Sequence, residues 1–149
     1  MIENKKKKFL SICIPNYNYA EFIKKTINSV LSQDTNDFEI LVSDNCSTDK
    51  SVQEINSFNN ERIKLTINKK NIGFAPNLNR ACKDASGDRM ILLSSDDVVY
   101  EGAFNIYKKI DQYLGGKSEQ TIFCSAQNII DENDNIIKKL GFLERVWRE

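Results

Sequence analysis

The chain has 149 residues, with 21 Lys plus Arg balanced by 21 Asp plus Glu, four cysteines and no histidine. That length suits one domain with a real core, and zero net charge argues against a general nucleic-acid binder. Scattered Cys13, Cys46, Cys82 and Cys124, with no Cys-x-x-Cys pair, make a zinc site a poor reading and a reducing cytoplasm the natural compartment.

Lys5 to Lys8 forms a basic arm over residues 1–8, suited to a solvated segment or to a contact with anionic lipid headgroups. The apolar run after it is too short for a signal-peptide core, and no stretch approaches the roughly 20 apolar residues of a membrane span. Phe9 to Ile14 reads as a strand ending in the polar, aromatic loop Pro15-Asn16-Tyr17-Asn18-Tyr19. Ala20 to Ser32 has apolar residues at helical spacing, Phe22, Ile23, Ile27, Val30 and Leu31. Phe38 to Val42 is a second strand, and Ser47 or Thr48 is placed to cap a short helix carrying Val52 and Ile55. Ile63, Leu65 and Ile67 alternate as a third strand, followed by a turn from Asn68 to Gly73. Phe74 to Ala85 is helical, with Gly87 where a C-cap glycine belongs.

Met90 to Leu93 is an unbroken apolar run, which predicts a central strand covered on both faces. Glu101 to Leu114 is a further helix, ended by Gly115-Gly116. Thr121 to Ile130 is strand-like, and Asp131 to Asn135 turns back into Ile136 and Ile137. The tail, residues 140–149, carries Phe142, Leu143, Val146 and Trp147, an apolar set that could pack on a second copy as a homodimer. Cys13, Cys82 and Cys124 fall in apolar patterns as small core residues.

Strands alternating with helices call for a three-layer α/β/α sandwich with a mostly parallel central sheet. Its strand ends line up on one rim, where ligands of open α/β sheets bind. That rim gathers Pro15 to Asn18, Asp44 and Asn45, Asn71 to Gly73, and Ser94 to Asp97. Asp96 and Asp97 are two adjacent carboxylates after a buried strand; they suit a divalent metal facing a phosphorylated ligand, Mg²⁺ or Mn²⁺. A solvated turn capping the next helix is the alternative reading. Asp44 can accept from a base N–H or a ribose hydroxyl, or close an Asx turn with Asn45. Tyr17 offers a ring for stacking or for ordinary packing. Gly73 closes a tight turn that can bring backbone close to a ligand. Asn79, on a mostly apolar helix, either points back to the rim or lies on the surface.

Four stretches carry a resemblance in order and spacing: Ser11 to Asn18, Ile40 to Asp49, Asn71-Ile72-Gly73, and Ala85-Ser86-Gly87-Asp88 with Leu93 to Asp97. Together they resemble the family-2 glycosyltransferases of GT-A fold over residues 9–139. The resemblance implies a nucleotide-diphosphate-sugar donor, usually a UDP-sugar, and a divalent cation. It implies that Pro15, Tyr17 and Asn18 border base and ribose, that Asp44 holds the base, that Asp97 binds the metal, and that Asp96 contacts ribose or sugar. It further implies inverting transfer to a glycan or lipid-linked acceptor in cell-surface polysaccharide synthesis, at the inner face of the membrane. A general base then belongs to an acceptor half beyond Glu149. Three positions depart from the family pattern: Ser94 and Asn45 stand where acidic residues are common, and Leu78 stands where an arginine is common.

Other readings fit less well. A nucleotidyltransferase wants a glycine-rich, basic loop after the first strand, and Pro15-Asn16-Tyr17-Asn18 has neither feature. A phospho-receiver wants acidic residues there. A truncated or catalytically silent nucleotide-sugar-binding module remains the alternative to the transferase.

Overall fold

The computed structural model describes residues 8–115, 127–131 and 133–140. The chain divides into two compact units, the first reaching Lys109 and the second starting at Ile110. The tail residues 141–149, Cys124 and most of the basic arm lie outside the described residues. Among the described residues no helix is long and apolar enough to cross a membrane.

The first unit is an α/β fold on a parallel sheet. Its strands are β1 (Leu10–Asn16), β2 (Phe38–Asp44), β3 (Ile63–Ile67) and β4 (Arg89–Leu92), in the spatial order β3-β2-β1-β4. Between them run α1 (Ala20–Leu31), α2 (Ser51–Asn56) and α3 (Phe74–Cys82), and α4 (Ala103–Leu114) follows β4. All three pairings are parallel, and the β1–β2 register runs from Leu10↔Phe38 to Asn16↔Asp44.

Alternation along the strands sorts side chains into two cores. Leu10, Ile12, Ile14, Phe38, Ile40, Val42 and Leu93 face α1, α2 and Phe104 of α4, forming the larger cluster with Ile23, Ile27, Val30 and Ile55. Phe104 sets its ring edge-on to Phe38 at 5.4 Å between centroids. On the opposite face α3 covers only a small cluster, Cys13, Leu41 and Ala81, with Cys82 and Ala85 packed against it. Burial first, then Cys82 and Glu39 nearby, push the Cys13 thiol up to about 12, so it is an inert core residue.

Four expectations are corrected. The Met90 strand is not central: β4 ends the sheet among the described residues, and Met90 and Leu92 are 49% and 56% exposed. An apolar run cannot distinguish burial on both faces from burial on one. Neither Ser47 nor Thr48 caps α2, whose N-cap is Lys50; Ser47 turns instead to Asp44. Helix α3 stops at Cys82, three residues before the expected Ala85.

Gly87 is likewise not a helix cap. A Cβ there would lie 2.7 Å from the backbone carbon of Leu10 and the nitrogen of Ser11, so the glycine lets the turn before β4 lie against β1. Beside it sits Glu39, 0% exposed. Its Oε1 accepts from Ser11 Oγ (2.9 Å), Ser86 N (2.8 Å) and Ser86 Oγ (2.7 Å), and Oε2 accepts from Lys8 and Lys64, both at 2.9 Å. Burial alone would raise this carboxyl. The Ser86 bonds and the ammonium groups of Lys64 and Lys8 outweigh burial and hold it far below the usual carboxylate range.

The second unit contains the antiparallel hairpin β5 (Gln127–Ile130) and β6 (Ile136–Leu140). Asp131 closes its turn, accepting from Asn133 N, Asn135 N and Asn135 Nδ2.

Two tests follow. Gly87→Ala will lower the unfolding free energy in urea by about 1–3 kcal/mol, because the central strand offers nowhere for the methyl to go. Glu39 has a depressed folded pKa, so its contribution is complete above the unfolded value of about 4.3 and is lost as pH falls through the folded one. Wild type will lose stability with falling pH below about 4.3 more steeply than Glu39→Gln, read by urea midpoints across that range.

Candidate functional site

The carboxyl ends of four parallel strands share one rim. β2 ends at Asp44, whose side chain is fully buried. Its Oδ2 accepts from Asn16 Nδ2 at 2.8 Å and Ser47 Oγ at 2.6 Å, and its Oδ1 accepts from Ser47 N at 2.9 Å. The Asx turn with Asn45 is not formed: Asn45 N donates to Asn16 O, the Asp44 carboxylate reaches Ser47 three residues on, and it also fixes the end of β1. Asn18, with φ of 57°, extends the same clasp: its N–H donates to Ser47 Oγ, and its Oδ1 accepts from Thr48 N at 2.8 Å. Tyr17, between these anchors, is 41% exposed.

Behind this rim lies a network of asparagines. Asn77 of α3, 2% exposed, uses both ends of its amide. Its Oδ1 accepts from Ser43 Oγ and Asn68 Nδ2, both at 2.8 Å, and its Nδ2 donates to Ser43 O (2.9 Å) and Asn16 O (3.3 Å). Asn45 donates through Nδ2 to Asn71 Oδ1 (2.9 Å) and Gly73 O (3.3 Å), and accepts at Oδ1 from Ile72 N (2.9 Å) and Asn68 Nδ2 (3.2 Å). Asn71 Oδ1 in turn accepts from Gly73 N at 2.9 Å. Gly73 has φ of 88° and starts α3, so the turn needs glycine there. Among the described residues, one buried side-chain atom has no partner, Asn16 Oδ1.

The acidic loop after β4 is held from two sides. Ser95, buried, donates from Oγ to Pro15 O at 2.7 Å, and its own carbonyl accepts from Thr26 Oγ1 at 2.7 Å. Asp96 and Asp97 directly follow this anchor and are exposed residues, the Asp97 carboxyl partly covered. Burial, then the neighbouring Asp96 charge, raise the Asp97 carboxyl above its ordinary value; a Ser94 hydrogen bond acts against them. Two carboxylates that repel in this way favour a cation between them. The described residues contain no cluster of three or more potential metal-ligating side chains, so two carboxylates with water and ligand oxygens are what they offer.

The sequence-derived candidates therefore divide. Pro15 and Asp44 are among the last residues of β1 and β2, and Tyr17, Asn18, Asn71, Gly73, Asp96 and Asp97 lie on the loops beyond the strand ends of the first unit. Asn79 is exposed; the asparagine that turns inward is Asn77, two positions earlier. Sequence reasoning missed Asn16, Asn68, Asn77, Ser47, Thr26 and Ser95 as the supporting shell. One signal was available: Asn77 stands four residues before buried Ala81, on the same face of α3.

The chain matches the family model described as glycosyl transferase family 2 over residues 11–114. The chondroitin synthase of Pasteurella multocida is 31% identical over 122 residues, covering 80% of this chain and 12% of that protein. The Escherichia coli protein WfgD, a UDP-Glc:alpha-D-GlcNAc-diphosphoundecaprenol beta-1,3-glucosyltransferase, is 39% identical over 89 residues, covering 60% of this chain and 35% of that one. Among solved structures, S. aureus TarS 1–349 in complex with UDP-GlcNAc superposes with a TM-score of 0.67 at 28% identity, covering 70% of this chain and 31% of TarS. The chain thus spans about an eighth to a third of the length of these proteins. With a parallel four-stranded sheet, the acidic loop at its rim and a family match over most of its length, the chain belongs to glycosyl transferase family 2 and has the GT-A fold.

Proposed function

We propose that this chain is the donor-binding part of a metal-dependent, inverting glycosyltransferase that takes its sugar from a UDP-sugar. The observation that carries the reading is the convergence of a clasped nucleotide-side loop and an acidic loop on one rim, joined by the Ser95-to-Pro15 hydrogen bond. TarS was solved with UDP-GlcNAc, and WfgD is named for a UDP-Glc donor and a diphosphoundecaprenol-linked acceptor. We extend the same classes to this chain: a UDP-sugar donor and a glycan or lipid-linked acceptor, in polysaccharide synthesis at the cytoplasmic face of a membrane.

Pro15, Tyr17 and Asn18 border the base and ribose, with the Tyr17 ring as the stacking surface. Asp44 holds the base and also orients Asn16 and Ser47, whose bonds leave Oδ1 with acceptor capacity beyond Ser47 N. Asn71 and Gly73 present the backbone of their turn to the donor. Asp97, with Asp96 beside it, would hold Mn²⁺ or Mg²⁺, which when bound would supply Lewis-acid stabilisation of the charge that develops on the leaving diphosphate. Asp131 is not the general base in this scheme, because its carboxylate is committed to the hairpin turn.

In calorimetry with UDP and Mn²⁺, Asp97→Ala will weaken binding on the order of 10–100-fold, the range for lost metal-site partners. Heats equal to those of wild type would remove Asp97 from the site. Asn77→Leu will cost about 1–3 kcal/mol for each buried polar group left without a partner, read by urea unfolding. It will also weaken UDP binding, since Asn68 and the end of β1 lose their common support.

A further inference from the structure

At the opposite end of the sheet from the donor rim, the structure offers an arrangement that the proposed chemistry does not use. Glu39 is fully buried, carries its charge inside the protein, and gathers Ser11, Ser86, Lys8 and Lys64 around one carboxylate. Ser11 Oγ adds two bonds to the same turn, accepting from Ser86 N at 3.1 Å and Gly87 N at 2.9 Å. Two of the residues pinned here, Ser86 and Gly87, lead directly into β4, and Asp96 and Asp97 lie on the loop after its far end.

β4 needs such a pin. It pairs on one side with β1, through the register Leu10↔Arg89 to Cys13↔Leu92. The core side of its run holds Ile91 and Leu93; a shift of two residues would keep that face inward and replace one of the two with Arg89 or Ser95. The parallel hydrogen-bond pattern repeats every two residues. Apolar patterning therefore specifies the facing of β4 and leaves its register resting on one apolar position. A two-residue slip would carry the acidic loop roughly 6.6 Å along the strand. Polar anchors settle the matter. Ser95 supplies one at the rim, and the Glu39 carboxylate supplies the charged one at the base.

We propose that Glu39 is a positioning residue for the acidic loop: by binding Ser86 from β2, across β1, it fixes the register of β4 and hence where Asp96 and Asp97 stand on the rim. The inference rests on the donor-site reading, since it concerns the place of those acids. It also gives the Ala85-Ser86-Gly87-Asp88 stretch a role away from the ligand. Ser86 is the partner of a buried carboxylate, and Gly87 is the residue without a Cβ that lets the pair approach β1. A buried carboxylate held by hydroxyls, an amide and two ammonium groups is costly to desolvate, and conformational specificity is a recognised return for that cost.

The test uses this chain with Mn²⁺ and UDP. Calorimetry gives the affinity, and amide hydrogen exchange by NMR reads Arg89 and Leu93, whose N–H groups donate to Phe9 O and Cys13 O. Wild type and Asp97→Ala are compared first; equal binding by those two fails the donor-site reading itself, whatever Glu39 does. Given Asp97-dependent binding, Glu39→Gln will raise the Mn²⁺-dependent Kd for UDP at least fivefold at a temperature where it is fully folded, with faster exchange at Arg89 and Leu93. Ser86→Ala will shift both in the same direction by a smaller factor, and it decides the question if Glu39→Gln does not fold. Ile55→Val, a core change in α2 beside Ile63 and Leu65 of β3, at the other edge of the sheet from β4, sets the control: it will lower the melting temperature and leave Kd unchanged. Wild-type Kd and exchange in both Ser86→Ala and Glu39→Gln would overturn the proposal, as would an equal loss of affinity in Ile55→Val.

Discussion

Parallel pairing of β1 with both of its neighbours is the constraint on which the candidate site depends. A parallel ladder sends each chain segment back by a crossover, so the loops leaving β1, β2, β3 and β4 emerge on the same rim. The register Asn16↔Asp44 then puts a donor amide opposite an acceptor carboxylate at the last paired position. From that pair the clasp extends through Ser47 to Asn18, and from Asn16 O to Asn77 on α3. Removing either ladder would separate groups that lie far apart along the chain.

The rim is built on buried amides more than on buried charges, which suits a pocket that must stay ordered without a fixed counter-ion. An amide both donates and accepts, so Asn45 and Asn77 each join several elements. This explains why asparagine can stand at position 45, where the family often carries an acid. A carboxylate there could accept from Ile72 N and Asn68 but could not donate to Gly73 O and Asn71. Networks of this kind hold together only when nearly every member is satisfied. Among the described residues, the one buried side-chain atom without a partner is Asn16 Oδ1, beside the loop assigned to the nucleotide.

The two ends of the sheet divide the work. The carboxyl end carries exposed acids, an exposed tyrosine and a glycine turn, the features of a surface that meets a ligand. The amino end carries a buried carboxylate with two lysines, joining β2 to β3 and to the turn before β4. The proposed reading assigns the first end to the donor. Family likeness has no comparable account of the second end, where the geometry alone speaks.

The sequence by itself determined the element types, the parallel class of sheet and the loops that form the rim, because period and strand–helix alternation are local properties of the chain. It also offered Asp96 and Asp97 as metal-ligand candidates, two adjacent charges on the loop after an apolar run, with a solvated turn as the alternative. What it left undecided depends on which element lies beside which. That β4 ends the sheet, that Gly87 faces β1, and that Glu39 rather than solvent receives Ser86 are statements about neighbours in space. The inward turn of Asn77 in place of Asn79 belongs with them, because helical phase decides it and a sequence with asparagines at both positions does not reveal the phase. Tertiary structure settled these points for one physical reason: a buried polar group declares its role only through its partners, and those partners lie on other elements, 9 to 80 positions away along the chain.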